Sequence, residues 1–393
     1  MRLGTCIALE LAVATSAVGG VWFGAGYLAG HAGDYLATRE AVAASLTRSA
    51  PEPLPFSDLA DAIAPLVIDN VFGVADAELL APIGGQPVIK MKTNHGGTSL
   101  SLRLDFANGA RAAFKPEQTH YQSDPRREIA AYRVDRMLGL GHVPPAKEIE
   151  VSVEEVLAAG DQGFRAYYAG RLAEEAISHG GKLRGTASWW VPEIKLAAIT
   201  TPRHGSAEPN LAIDSPRRFA ALRGSAEPNL AIDKSRIDLK EGKDIWTSQM
   251  QIGAHMDPAL RPFLAQISAC VLFDLLIDNS DRWSGSNTAM SPDGSTLYFM
   301  DNTMSFSKAQ FGHEINVLAM RRIQVYPKQL VERLRALTVE DLERVFEMPP
   351  DSKLAPLLKP FEIKAVLARR DNMLKWIDAL ISRYGESAVL AFP

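Results

Sequence analysis

The sequence predicts an α+β protein in two lobes, a small mainly antiparallel β lobe with one helix and a larger mainly α lobe. Three observations predict it. Leu100, Leu102 and Leu104 alternate with Ser101, Arg103 and Asp105, the period of a half-buried strand; Ala107-Asn108-Gly109 then turns the chain into a returning strand, Arg111–Pro116. Between Asp257 and Ile277, Phe263, Leu264, Ile267, Val271, Leu272, Leu275 and Leu276 cover nearly every face of a helix, as a buried central helix requires. The last helix, Lys364–Tyr384, is amphipathic: Ile363, Val366, Leu367, Met373, Leu374, Ile377 and Leu380 face the core, and Arg369, Arg370 and Lys375 face water.

Length and composition set the frame. A chain of 393 residues suffices for a two-lobed enzyme, and 47% hydrophobic with 22% charged residues is ordinary for a globular protein. A net charge of −4 gives no reason to expect nucleic acid as a partner. Two cysteines far apart, Cys6 and Cys270, build neither a disulfide framework nor a metal cluster, and Cys270 reads as core. Leu11–Gly30 is twenty residues without a charge, enough to span a bilayer, with Trp22 and Tyr27 near one end and Arg2 ahead of it. Residues 1–30 therefore read as a membrane anchor or signal segment, and 31–55 as a linker ending in prolines.

From residue 56 the chain reads as one two-lobed domain. Leu59, Ile63, Leu66 and Val67 recur at helical spacing after Ser57-Asp58. Val88–Lys92 opens β structure, and Gly96-Gly97 precedes the hairpin. Lys115 ends the returning strand, before a proline that cannot continue a ladder. A helix then runs from Arg126 to about Leu140, with Glu128 in its first turn and Gly139 or Gly141 stopping it. Val151–Ala158 reads equally as strand or helix, Phe164–Tyr168 reads as a strand, and Trp189-Trp190-Val191 as core rather than an exposed wall for substrate. Gly205–Asp214 recurs unchanged as Gly224–Asp233, a duplication that an exposed insertion at about 200–242 accommodates without disturbing packing. Helices follow at Tyr326–Ala336 and Thr338–Phe346, the latter with Thr338 and Asp341 placed for a capping box.

The stretch Phe273–Phe306 organises all of this. A greasy helix breaks into a polar loop holding Asp278, Asn279, Asp281, Arg282 and Asn287. Ser291-Pro292-Asp293-Gly294 turns a short hairpin, and the returning strand delivers Asp301-Asn302. Two acidic loops at the ends of one hairpin lie close in space. Phosphoryl transfer needs that arrangement: one carboxylate orients the attacking hydroxyl, and an amide and a second carboxylate hold Mg²⁺ on the phosphates. A strand lysine followed by a helix glutamate, Lys115 and Glu128, is how such a site holds a lysine against nucleotide phosphates.

At these residues the chain resembles the atypical kinases of the secretory pathway, the group of the Golgi casein kinase, the xylose kinase and four-jointed. Gly-Gly-Thr before a strand, Phe-Lys-Pro, Glu-Ile-Ala-Ala-Tyr, Asp-Arg-Met-Leu-Gly-Leu, Val-Pro-Pro, Asp-Arg and Asp-Asn recur in that order over roughly Gly96 to Ile381, with Leu157 to Ile245 unmatched. Trp283 stands where the family has His and Thr303 where it has Gly, and Asn287 follows Asp281 by six positions, one more than in ordinary protein kinases.

The resemblance implies an atypical protein-kinase-like fold, with an N-lobe at about 56–150 and a C-lobe at about 151–393. It implies ATP with Mg²⁺ or Mn²⁺ between the lobes, and transfer of the γ-phosphoryl group to a protein Ser/Thr or a sugar hydroxyl. Asp281 is then the catalytic residue, and Asp301 and Asn287 the metal ligands. Lys115, Glu128, Gly96 and Gly97 bind the nucleotide. The scarcity of cysteine points to a bacterial relative, and the N-terminal segment to a membrane-anchored or secreted protein whose catalytic domain is extracytoplasmic. The alternatives are a pseudokinase that binds nucleotide or a partner, and a kinase of the lipid or toxin type.

Overall fold

Alternating apolar and polar residues drive the first part of the chain into one antiparallel sheet. The computed structural model describes residues 70–93, 99–196, 245–282 and 288–393. A short helix α1 (Asp76–Leu80) leads to a meander of β1 (Val88–Thr93), β2 (Leu102–Phe106) and β3 (Arg111–Pro116), in which Leu104 lies opposite both Met91 and Ala112. Helix α2 (Arg126–Met137) follows, then β4 (Ala146–Ser152), α3 (Val153–Ala159), α4 (Arg165–Glu175), the two-residue β5 (Ser178–His179) and β6 (Lys182–Trp189). β6 inserts between β3 and β4, giving the order β1-β2-β3-β6-β4 with β5 beside β6. One face of this sheet packs Leu102, Leu104, Phe114, Leu183 and Ala187 against Val156 of α3 and Tyr168 and Leu172 of α4. Burying one such side chain as completely as Phe114 contributes about 1.5–3 kcal/mol. The other face meets the start of α2, where the Thr186 hydroxyl donates to the Pro125 carbonyl at 2.6 Å.

The larger lobe is built around one helix. After β7 (Lys195–Leu196) and α5 (Ile245–Gln249) comes α6 (Arg261–Ile277), in which every residue from Ile267 to Ile277 is buried. β8 (Ala289–Met290) and β9 (Leu297–Tyr298) form the hairpin, with β7 alongside. The helices α7 (Glu314–Arg321), α8 (Lys328–Ala336), α9 (Val339–Phe346), α10 (Pro360–Tyr384) and α11 (Glu386–Val389) complete the lobe, and their apolar faces join α6 in a single core. The capping box at Thr338 and Asp341 is present. Phe72 bridges the lobes, edge-on to Trp189 of β6 at 5.3 Å and stacked on Tyr298 of β9 at 5.7 Å.

Several sequence expectations are corrected. The sheet of the smaller lobe does not end near residue 150: β6 carries it to Trp189, because long-range pairing with Ala112–Pro116 completes β3's second edge. Phe164–Tyr168 is no strand but the entry into α4, where Tyr168 and Leu172, four apart, face the sheet. Val151–Ala158 is the end of β4 followed by α3. Arg369, expected in water, is 1% exposed and donates to three carbonyls.

The expected membrane anchor, with the extracytoplasmic placement drawn from it, is corrected too, in that no such segment is shown among the described residues. No helix among the described residues is long and apolar enough to cross a membrane. The 25-residue α10 is studded with charges, and the apolar α6, 17 residues long, is the core of its lobe. Leu11–Gly30, the helix expected at 56, Gly96, Gly97, Asn287 and the repeat at about 200–242 lie outside the described residues.

Candidate active site

Lys115 stands at the end of β3, where β6 comes so close that a Cβ on Gly185 would lie 2.2 Å from the Lys115 carbonyl oxygen. Its Nζ donates to Glu128 Oε1 and to Asp301 Oδ1, both at 2.6 Å. Glu128 sits in the first turn of α2, where a carboxylate also meets the helix dipole favourably. Burial pushes the Lys115 ammonium toward neutrality, but the two carboxylates outweigh it and hold the lysine charged, above its ordinary value. The loss of solvent around Asp301 opposes its ionisation. Lys115 and the Thr303 hydroxyl outweigh that in turn and keep the carboxyl below the usual range. The Asp301 side chain remains 46% exposed, against 10% for Lys115 and 6% for Glu128. The triad is thus closed behind and open in front.

The second loop starts where α6 stops. Asp278 ends the helix in the left-handed conformation at φ 60° and is buried, accepting from the His313 backbone at 2.7 Å, His313 Nδ1 at 2.8 Å, Asn316 Nδ2 at 3.2 Å and the Ser307 hydroxyl. Asn279, also buried, accepts from the Asp281 backbone N–H at 3.2 Å and donates to the Asp301 carbonyl and to Asn302 Oδ1, each at 3.0 Å. Arg282 turns back into the protein and pairs with Asp274 at 3.0 Å, with both side chains fully buried. It also donates to Asn302 Oδ1 at 2.8 Å and to the Met300 carbonyl. Burial opposes the Arg282 charge, but the Asp274 carboxylate holds it charged and above its ordinary value. The Asn302 backbone N–H donates to Glu128 Oε1 at 3.0 Å, which joins the two networks.

Among the described residues, three that are not glycine adopt positive φ, Asp278 at 60°, Asp301 at 58° and Phe306 at 54°, and all three lie at this centre. Asp tolerates the left-handed region; Phe does so at a cost of about 1–3 kcal/mol, which surrounding contacts must offset. Such residues cluster at functional sites.

The structure therefore brings Lys115, Glu128 and Asp301 into contact and ties the Asp281 backbone to them through Asn279. Asn287 and Gly96-Gly97 fall outside the described residues. Sequence reasoning missed Asp274. Its signal was one acid inside an otherwise apolar helix, two turns before Arg282. Among the described residues there is no group of three or more His, Cys, Asp or Glu that could hold a metal ion. Two converging carboxylates, one half-open, still fit Mg²⁺ or Mn²⁺ arriving on a nucleotide, since such an ion takes one or two protein carboxylates and completes its oxygen shell with phosphates and water.

No family model matches the chain. The mouse (Mus musculus) pseudokinase FAM20A is 25% identical over 337 residues, a match covering 75% of this chain and 56% of that protein, so the chain spans little more than half the relative's length. The crystal structure of the Golgi casein kinase superposes with a TM-score of 0.59 at 15% identity, over 80% of this chain and 77% of that one. The same kinase with Mn/ADP bound gives 0.58 at 16% identity, over 80% and 78%. Hydra Fam20 with sugar gives 0.57 at 15% identity, over 86% and 98%. In fold, and in the order of its motifs, this chain resembles the atypical secretory-pathway kinases, the group of the Golgi casein kinase.

Proposed function

We propose that the chain is an ATP-dependent phosphotransferase of the kinase type, which passes the γ-phosphoryl group to a hydroxyl of a protein Ser/Thr side chain or of a sugar. One observation carries this reading: Lys115 is gripped by Glu128 and Asp301, and the Asp301 side chain is left half-exposed to solvent. Lys115 binds the nucleotide phosphates. Glu128 positions Lys115, and together with Asp301 it would hold Mg²⁺ or Mn²⁺, which neutralises phosphate charge when bound. Asp281 orients the acceptor hydroxyl and takes its proton. Asn287 joins the metal site and Gly96-Gly97 the nucleotide-covering hairpin by motif alone. The Golgi casein kinase, solved with Mn/ADP, supports the choice of cofactor.

The test is a titration of the full chain with ADP, with and without Mn²⁺, followed by ATP turnover. Asp281→Ala should leave Mn·ADP binding intact and lower turnover by on the order of a hundredfold or more. Asp301→Ala should weaken Mn·ADP binding itself. Wild-type turnover in either variant refutes the assignment.

A second reading, a pseudokinase that binds nucleotide or a partner without transfer, is favoured by Trp283 and Thr303 at the two motif positions and by the name of the mouse relative. Mn·ADP binding with no turnover by the wild type selects it.

A further inference from the structure

We propose that Asn279, backed by the Asp274–Arg282 ion pair, is a positioning residue that registers the loop of Asp281 against the loop of Asp301; the inference rests on the kinase reading for the meaning of those two aspartates. The two loops are joined in sequence by a hairpin whose strands β8 and β9 share only two residue pairs, Ala289 with Tyr298 and Met290 with Leu297. So short a ladder leaves the relative placement of its far ends to other contacts.

Asn279 supplies them from one side chain. Its Oδ1 takes the Asp281 backbone N–H, and its Nδ2 reaches the Asp301 carbonyl and Asn302 Oδ1, bridging 22 positions of sequence. Only an amide offers an acceptor and two donors in that geometry; a carboxylate accepts alone, and a hydroxyl has a single proton. The Asp301 carbonyl it holds belongs to a residue at φ 58°, a conformation that Asp tolerates but that its neighbours must select.

Arg282 doubles the link, reaching the same Asn302 Oδ1 and the Met300 carbonyl while Asp274 fixes its guanidinium from below. Asn279, Asn302, Arg282 and Asp274 are each 0% exposed. Bulk solvent does not reach these groups, so a lost bond is not readily replaced and the geometry is held stiffly.

The test uses the full chain and the Asn279→Asp variant, which keeps the shape and the acceptor but removes both donations. Amide hydrogen exchange should accelerate in both 278–282 and 299–305, while the core of α6 stays protected. With Mn·ATP as the probe, turnover should fall by about ten- to a hundredfold with KM changed by less than about threefold, the mark of misplacement rather than lost binding. Arg282→Lys, which keeps the charge but lacks the fork, should act in the same direction. If Asn279→Asp does not fold, Asn279→Ser, with one hydroxyl left for the Asp281 amide, provides the same readings. Exchange confined to 278–282, or turnover equal to wild type, overturns the proposal. A wild type that neither binds Mn·ADP nor turns over ATP refutes the kinase reading instead, and the exchange result then decides the register on its own.

Discussion

Two charged clusters lie side by side in this protein and differ in one respect. Asp274 and Arg282 pair at 3.0 Å with neither side chain exposed; Lys115 pairs with Glu128 and Asp301 at 2.6 Å, and Asp301 is 46% exposed. The dry pair has nowhere to go. Removing either member strands a charge where water cannot reach it, so the pair fixes the fold around it. The half-open triad keeps one carboxylate within reach of solvent; under the proposed function an incoming cation or phosphate would take the place of an existing contact without opening the core. Burial, rather than the number of contacts, separates architecture from chemistry here.

The contrast is sharpest in stability. Asp274→Ala should destabilise the protein by about 3–5 kcal/mol, read as a shifted urea midpoint. Replacing both partners with apolar residues, Asp274→Leu with Arg282→Met, should recover most of that stability while leaving ATP turnover low. A single-variant cost below about 1 kcal/mol would break the comparison, because a dry pair cannot be lost so cheaply.

Lys115→Met should cost less, about 1–3 kcal/mol, since the Asp301 carboxylate regains water once its partner is gone and the buried Glu128 keeps the Asn302 backbone N–H. The variant should bind ADP weakly. Mn²⁺ alone should raise its melting temperature more than that of the wild type, because two carboxylates then converge with no lysine between them.

The smallest effect concerns a third pair, Asp278 with His313. The hydrogen bond to Asp278 raises the His313 pKa above 6.5 against the opposing effect of burial. Burial pushes the Asp278 carboxyl up, but His313 and Ser307 bring it below 3.8. The histidine's contribution is complete below pH 6.5 and fades as pH rises through its folded value; the aspartate's is complete above pH 3.8 and fades as pH falls through its own. The stability difference between wild type and His313→Gln should therefore be largest between those limits. It should stay below about 1 kcal/mol, because half of the imidazole is in water. A difference that grows above neutral pH would contradict the pairing.

Much of this centre was legible before any coordinates. The polar loops at the two ends of the Ala289–Tyr298 hairpin, the lysine closing β3 and the glutamate opening α2 each announce themselves within a few residues. Asp274 and Asn279 do not, although both stand in the same stretch. An acid in a greasy helix and an amide after its end look alike whether they are partnered or solvated, and their partners lie 8 and 22 positions away.

By itself the sequence determined the periodic features: the alternating strands of the meander, the largely apolar α6 and the capping box of α9. These follow from spacings of two, three and four residues, which local geometry enforces. Only the tertiary structure decided which charges go inside. Arg369 lies on an amphipathic helix among charged neighbours, yet it is buried because the chain ends left by α6 and the loop after Phe306 present the carbonyls of Leu276, Ser307 and Ala309 to it. Lys115 meets Asp301 across 186 positions for a similar reason. A buried charge is tolerated only where distant backbone and carboxylate groups converge on it, and packing alone brings them there.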